Sequence, residues 1–213
     1  MAVQISINLK EYEGKLDFLA KRVFPKSASK TINDISFNTM RILKEDIDKY
    51  VDGGAVPYTK SGIAVDKSNV RTLSGLVGYL GSRFWLKTIT YGGVVKPYAK
   101  SKVLIEPVKS MQKLNKYGNI PRNTLARKKA NTALYFVGKP NNRKGQNKRY
   151  GLYRYYKNKA PRLVIALDRK QRTQKAIFPA PKIAQKYIKQ NFMRRFQIRM
   201  RSEIRRMKIP TGF

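Results

Sequence analysis

Residues 179–207 read PAPKIAQKYIKQNFMRRFQIRMRSEIRRM. Ala184, Ile188, Phe192, Phe196, Met200 and Ile204 recur at every fourth position, flanked by Tyr187 and Met207. That spacing predicts a long amphipathic helix from the Pro-Ala-Pro start to about Met207. Its other faces carry Lys182, Lys186, Lys189, Arg194, Arg195, Arg199, Arg201, Arg205 and Arg206, and cations near a helix C-terminus complement its dipole. The apolar stripe has two readings: packing on the sheet of its own chain, the favoured one, or docking on a neighbouring subunit through Ile188, Phe192, Phe196 and Met200. Core packing alone does not account for nine cations.

Upstream of this helix the chain reads as an antiparallel sheet of short strands. β-like runs occur at Phe84–Tyr91, Val103–Val108, Ala133–Val137, Leu152–Tyr156, Leu163–Leu167 and Ala176–Phe178, separated by Pro97, Pro107, Pro121, Pro140 and Pro161. Asp168–Thr173 is expected as the hairpin turn between the last two. Two polar basic loops, Lys109–Lys129 and Lys139–Arg149, are too poor in apolar area to fold alone, so they are solvated or wrap a partner. In residues 55–82, Gly75, Gly78 and Gly81 recur at every third position, which fits strand residues packed close to another backbone.

The N-terminal part differs. Val3, Ile5, Ile7 and Leu9 alternate with polar residues, predicting a strand. Tyr12, Leu16, Leu19, Ala20 and Val23 fall at helical spacing until Pro25, which is expected to interrupt the helix. A second helix is expected over about Ser27–Val51, with Ile32, Ile35, Met40, Leu43, Ile47 and Tyr50 on its apolar face and Asp52-Gly53-Gly54 as its stop. The fold class is therefore α+β: a strand plus kinked helical module (1–54), a basic antiparallel β region (55–178) and a basic C-terminal helix (179–213), together one composite domain.

Charge is distributed unevenly over this plan. Residues 1–66 hold 10 basic and 9 acidic side chains, a net of +1; residues 67–213 hold 37 and 3, a net of +34. The three acids are Glu106, Asp168 and Glu203. Such a surplus repels itself unless a negative partner lies close, and a nucleic-acid backbone attracts it without reading sequence. Arg143–Arg162 is the richest segment: Arg143, Lys144, Lys148, Arg149, Arg154 and Arg162 interleave with Tyr150, Tyr153, Tyr155 and Tyr156. Basic groups pair with phosphates and tyrosines stack on bases. Arg194, Arg195, Arg199 and Arg205 of the terminal helix join this candidate set. The competing reading puts some tyrosines inward and the charges in solvent. No sequence-reading nucleic-acid module is recognisable.

Enzymatic chemistry finds little support. The chain has no Cys and no His, the usual nucleophile–base and zinc-ligand types. Glu45, Asp46 and Asp48 cluster, but successive helical residues spread around the axis, which favours a solvated face over a metal site. A phosphate-cradling glycine loop is not found. No cofactor and no small-molecule substrate are expected, and no apolar run is long enough to span a bilayer. The N-terminus lacks the pattern of a secretory signal, so a soluble protein made in the cytoplasm is expected.

With the run FPKSASKTINDISFNTM (24–40), the basic glycine-interrupted middle and the closing AIFPAPKIAQKYIKQNFMRRFQIRMRSEI (176–204), the chain resembles the minor tail protein Z, or tail completion, family of tailed bacteriophages. Pro25, Thr31-Ile32-Asn33 and Pro179–Arg201 are the matching positions. The resemblance implies a virion structural protein without enzymatic activity, acting where the tail meets the neck or head. It implies contacts with other tail, neck and head proteins, self-association, often as a ring, and closeness to the DNA path. The alternative is a non-specific nucleic-acid-binding protein of ribosomal or nucleoid type; a metal-dependent nuclease is a third reading.

Overall fold

The computed structural model describes residues 9–95, 103–140, 149–168 and 171–207, with side chains from residue 13 onward. The expected strand over Val3–Leu9 lies almost wholly outside the described residues, and Leu9 opens a helix. In chain order the elements are α1 (Leu9–Phe18), a π-turn (Leu19–Val23), α2 (Phe24–Asp46), a 3₁₀ turn (Ile47–Lys49) and α3 (Pro57–Lys60). Then come β1 (Ile63–Asp66), β2 (Leu76–Tyr79), α4 (Phe84–Tyr91), β3 (Gly93–Val95), β4 (Leu104–Pro107), α5 (Thr124–Ala130) and β5 (Tyr135–Gly138). The chain continues through β6 (Gly151–Tyr156), β7 (Lys159–Asp168) and β8 (Arg172–Gln174) into α6 (Ala180–Arg206). The class is α+β, with three antiparallel sheets among the described residues.

Two compact units divide these elements. One comprises residues 1–46, 60–83 and 179–213; the other comprises 47–59 and 84–178.

In the first unit, Pro25 bends the helix path without ending it. Proline cannot donate to the carbonyl four residues back and its ring crowds that carbonyl. The backbone answers with a π-turn immediately upstream, in which the Phe24 N–H bonds to Leu19 O, and the helix resumes as α2. The buried face of α2 is built largely from small residues: Ser27, Ala28, Ser29, Thr31, Ile35, Ser36, Thr39 and Leu43. Ile32 and Met40 are only half-buried and Tyr50 is exposed. The helix ends earlier than the expected Val51, at Asp46, with a 3₁₀ turn to Lys49; Gly53 and Gly54 follow in a separate turn at φ of 75° and 80°, the left-handed region glycine enters at little cost.

α2 packs against both α6 and the β1–β2 hairpin. On the hairpin side, the Asn33 side-chain amide brackets Ser68. Its Nδ2 donates to Ser68 O at 3.0 Å, and its Oδ1 accepts from Ser68 N at 2.8 Å. Gly75 lies so close to α2 that a Cβ there would meet Ile32 Cγ2 at 2.8 Å and Ser36 Oγ at 3.1 Å. Close approach therefore explains Gly75, while a Cβ on Gly81 would meet nothing within 4 Å.

On the other side, Lys30 Nζ bonds Glu203 Oε1, and Arg199 bonds Asp34 through two nitrogens at 2.6 and 2.8 Å. Phe24 meets Phe196 edge-on at 5.4 Å between ring centres. The partner of α6 is thus a helix, and the expectation that it packs on a sheet is corrected. The every-fourth-residue stripe is also not one face. Each step of four advances about 40° around a helix, so Ala184 and Ile204 lie about 200° apart. Ile188 is left exposed, with Met193 and Ile198, while Phe192, Phe196 and Met200 are half-buried.

The second unit holds a four-stranded antiparallel sheet in the order β4-β7-β6-β5. Its core is Leu152, Val164, Ile165 and Leu167, backed by Val103, Met111, Ile120, Leu125, Tyr135 and Tyr150. Four expected runs coincide with β4, β5, β6 and β7. Two do not. Phe84–Tyr91 is a helix, because Leu86, Ile89 and Thr90 are its buried positions, at i, i+3 and i+4. Ala176–Phe178 is no strand; the backbone N–H groups of Ile177 and Phe178 both bond to Ile89 O, and Phe178 is fully buried. Nor is Asp168–Thr173 a hairpin turn: Arg172–Gln174 is β8, which pairs with β3 instead of β7.

Candidate nucleic-acid interface

β6 and β7 form a hairpin closed by Lys157 and Asn158, with Asn158 at φ 58°. Asparagine tolerates that left-handed conformation better than most side chains. Two irregularities break the register: Tyr153 faces Leu163, Arg154 faces Arg162, and Tyr156 faces Lys159. Between the last two pairs, Tyr155 alone opposes Ala160 and Pro161. Pro161 therefore sits in a β-bulge, where its missing N–H breaks no ladder bond.

The hairpin outruns its neighbours. β5 pairs with β6 only from Gly151 to Arg154, and β4 pairs with β7 only from Ile165 to Asp168. The Tyr155 N–H still donates to Leu134 O and Val164 O accepts from Val108 N; beyond these bonds the hairpin is two strands wide. The sequence of this projecting end, RYYKNKAPR (154–162), has four basic side chains and no acidic one.

Of the six basic residues picked out in Arg143–Arg162, Arg143, Lys144 and Lys148 lie outside the described residues. Arg149 is committed within the fold. Its guanidinium bonds Asp168 and, at 2.7 Å, Glu106, while Arg172 reaches the other oxygen of Glu106 at 3.1 Å. These partners raise the Arg149 pKa and hold the Glu106 carboxyl below its usual range, the bond from Arg149 contributing most. Arg149 thus ties β4 to β7. Arg154 and Arg162 remain exposed, with Cζ atoms 5.2 and 5.6 Å from the Tyr156 ring centre. Among the described residues no carboxylate pairs with either.

The tyrosines of this segment are occupied. Tyr153 is buried, stacks on Phe136 and donates its hydroxyl to Arg149 O at 2.7 Å. Tyr155 leans on Phe136 at 4.9 Å, Tyr150 packs on the core, and Tyr156 lies beside both guanidiniums. The expected interleaving of bases and tyrosines is present, but the rings serve packing and cation–π contact.

In the first unit Arg199 is likewise committed, to Asp34. Arg194, Arg195 and Arg205 are exposed on α6, and Arg205 lines a shallow groove with Ile198, Arg201, Ser202 and Arg206. All three acids of the basic region are therefore consumed inside the fold. Glu106 and Asp168 serve Arg149 and Arg172, and Glu203 serves Lys30, with Lys26 3.8 Å away. Sequence reading picked out these acids as a minority and missed their role, since each partner is remote in the chain.

A cleft of about 590 Å³ in the second unit lies among Val51–Val56, Trp85, Lys109 and Tyr117–Asn119. Its ionisable lining is Asp52, Lys109 and Tyr117, which forms no nucleophile–base pair. Among the described residues no group of three or more His, Cys, Asp or Glu side chains is placed to hold a metal ion, and no helix is long and apolar enough to cross a membrane. Comparisons with protein-family models, with curated proteins and with solved structures gave no match.

Proposed function

We propose that this chain is a structural protein of a tailed-phage particle, of the tail-completion or head–tail junction kind. It would work without enzymatic activity, in contact with neighbouring virion proteins and other copies of itself, close to the DNA path. The observation that carries this reading is the uncompensated charge. The second unit holds 25 basic and 4 acidic side chains, and its acids Glu106 and Asp168 are spent on internal ion pairs. A surface of this kind is tolerated where a polyanion lies alongside.

The residues behind the family resemblance support the reading as structural positions. Thr31 is buried, Ile32 lies against Gly75, and Asn33 holds Ser68. A motif made of packing and backbone bracketing suits a scaffold. The test is mass spectrometry of purified particles from the phage encoding the chain, together with a density map of the neck. Low-copy incorporation at the tail–neck boundary is expected; absence from particles overturns the reading.

The projecting basic ribbon also suits the second reading, a nucleoid- or ribosome-type binder. Gene neighbours separate the two: portal and tail genes favour the first, chromatin or ribosomal genes the second.

A further inference from the structure

We propose that the projecting end of the β6–β7 hairpin is a phosphate clamp for duplex DNA, in which Arg154 and Arg162 each take a backbone phosphate and Lys157 and Lys159 flank them. The inference rests on the reading above that the chain lies beside DNA, and it names the surface that does so.

The first argument is electrostatic. Arg154 and Arg162 are direct cross-strand partners. Like charges directly opposite each other destabilise a strand pair. The neighbourhood offers no relief: the nine residues from Arg154 to Arg162 include no acid, and no described carboxylate reaches either guanidinium. Elsewhere the same unit does pair its arginines, since Arg149 and Arg172 share Glu106. Both guanidiniums lie by the Tyr156 ring, a weak cation–π contact for each that orients without neutralising them. Guanidinium groups bind phosphates in bidentate fashion, so a phosphate-bearing partner removes the repulsion.

The second argument is shape. Past Tyr155, whose N–H donates to Leu134 O, and before Val164, whose O accepts from Val108 N, the hairpin is two strands wide, and a β-ribbon of that width enters the major groove of B-DNA, where phosphates line both rims. The third is what the ribbon lacks. Single-strand binders present open aromatic faces to successive bases. Here Tyr153 is buried, Tyr155 leans on Phe136, and Tyr156 is flanked by arginines. The chemistry is that of phosphate contact without base stacking.

The test is anisotropy titration of a labelled 20-bp duplex with the full chain across about 50–200 mM salt. Each phosphate contact contributes about 0.9 to the slope of log affinity against log salt. R154Q/R162Q is expected to lower that slope by about 1.8, and the charge-matched K113Q/K116Q to leave it within about 0.5. An unchanged slope in R154Q/R162Q, or an equal drop in the control, overturns the clamp while leaving DNA proximity standing. If the native chain binds no duplex at low salt, both fall. Tighter binding to a single strand of equal length than to the duplex would mean stacking, and equal competition by polyglutamate would mean an acidic protein partner; either overturns the proposal. Fold is checked separately: relief of the like-charge pair should leave the melting temperature of R154Q equal to or above that of the native chain, and a clear fall would show the pair is compensated internally.

Discussion

Replacing Glu203 by Gln should weaken the contact between the two long helices of the first unit. Glu203 is 2% exposed and, with Ala180 at the start of the helix, one of the two buried residues of α6. One carboxylate oxygen bonds Lys30, and the other is buried without a hydrogen bond, 3.8 Å from Lys26 Nζ. Removing one partner of a fully buried ion pair costs about 3–5 kcal/mol. Here Lys30 and Lys26 are 34% and 41% exposed and can turn towards water, which lowers the cost. A loss near that of one charged hydrogen bond, about 2 kcal/mol, is expected for E203Q.

The pH dependence follows the same logic. The bond from Lys30, the largest cause, and the charges of Lys26 and Arg206 hold the Glu203 carboxyl below its ordinary value of 4.5. A carboxyl whose folded pKa is depressed adds stability that is present above the unfolded value. That stability is lost as pH falls through the folded value. The native chain should therefore lose stability below about pH 4.5, and E203Q should lose less over that interval. Urea denaturation followed by circular dichroism, at pH 7 and in steps below pH 5, measures both quantities. E203Q as stable as the native chain at pH 7, or an unaltered acid slope, would refute the assignment of this ion pair as the lock between α2 and α6.

Other outcomes follow from single contacts. N33A leaves the N–H of Ser68 unpaired beside α2 and its C=O with Ser29 Oγ as donor at 3.3 Å, and should cost about 1–2 kcal/mol in chemical denaturation. G75A must displace Ile32 or Ser36 and should cost about 1–3 kcal/mol, whereas G81A, with open space for its Cβ, should be neutral or slightly stabilising. R149Q leaves Asp168 without its guanidinium partner and Glu106 with Arg172 alone. Because these groups are partly exposed, the expected loss is about 1 kcal/mol at pH 7, shrinking as pH falls through the lowered range in which Glu106 protonates. A thermal melt of R149Q at pH 7 and pH 4 checks the sign.

The chain sequence alone determined those elements whose apolar period is local. α6, β4, β5, β6 and β7 were legible because helix-spaced or β-branched and aromatic runs bounded by Pro and Gly favour those elements locally, although the burial of α6 does not follow its stripe. Gly53-Gly54 was legible as a break in the chain because glycine enters left-handed backbone readily, but the helix before it ends sooner, at Asp46. The charge imbalance was legible because it is a count. Phe84–Tyr91 misled because aromatic and β-branched residues suit strands, while its burial at 86, 89 and 90 depends on what packs beside it. β8 was illegible: Arg172-Thr173-Gln174 has no apolar alternation, and β3 recruits it from far along the chain.

Only the tertiary structure decided which charges are available. Arg149 and Arg154 look equivalent as sequence, yet one is bound by two carboxylates and the other faces a second arginine. The pairs Lys30–Glu203 and Asp34–Arg199 join residues more than 160 positions apart. Charge is a property of a residue type, but its neutralisation depends on distance in space, and folding alone sets that distance.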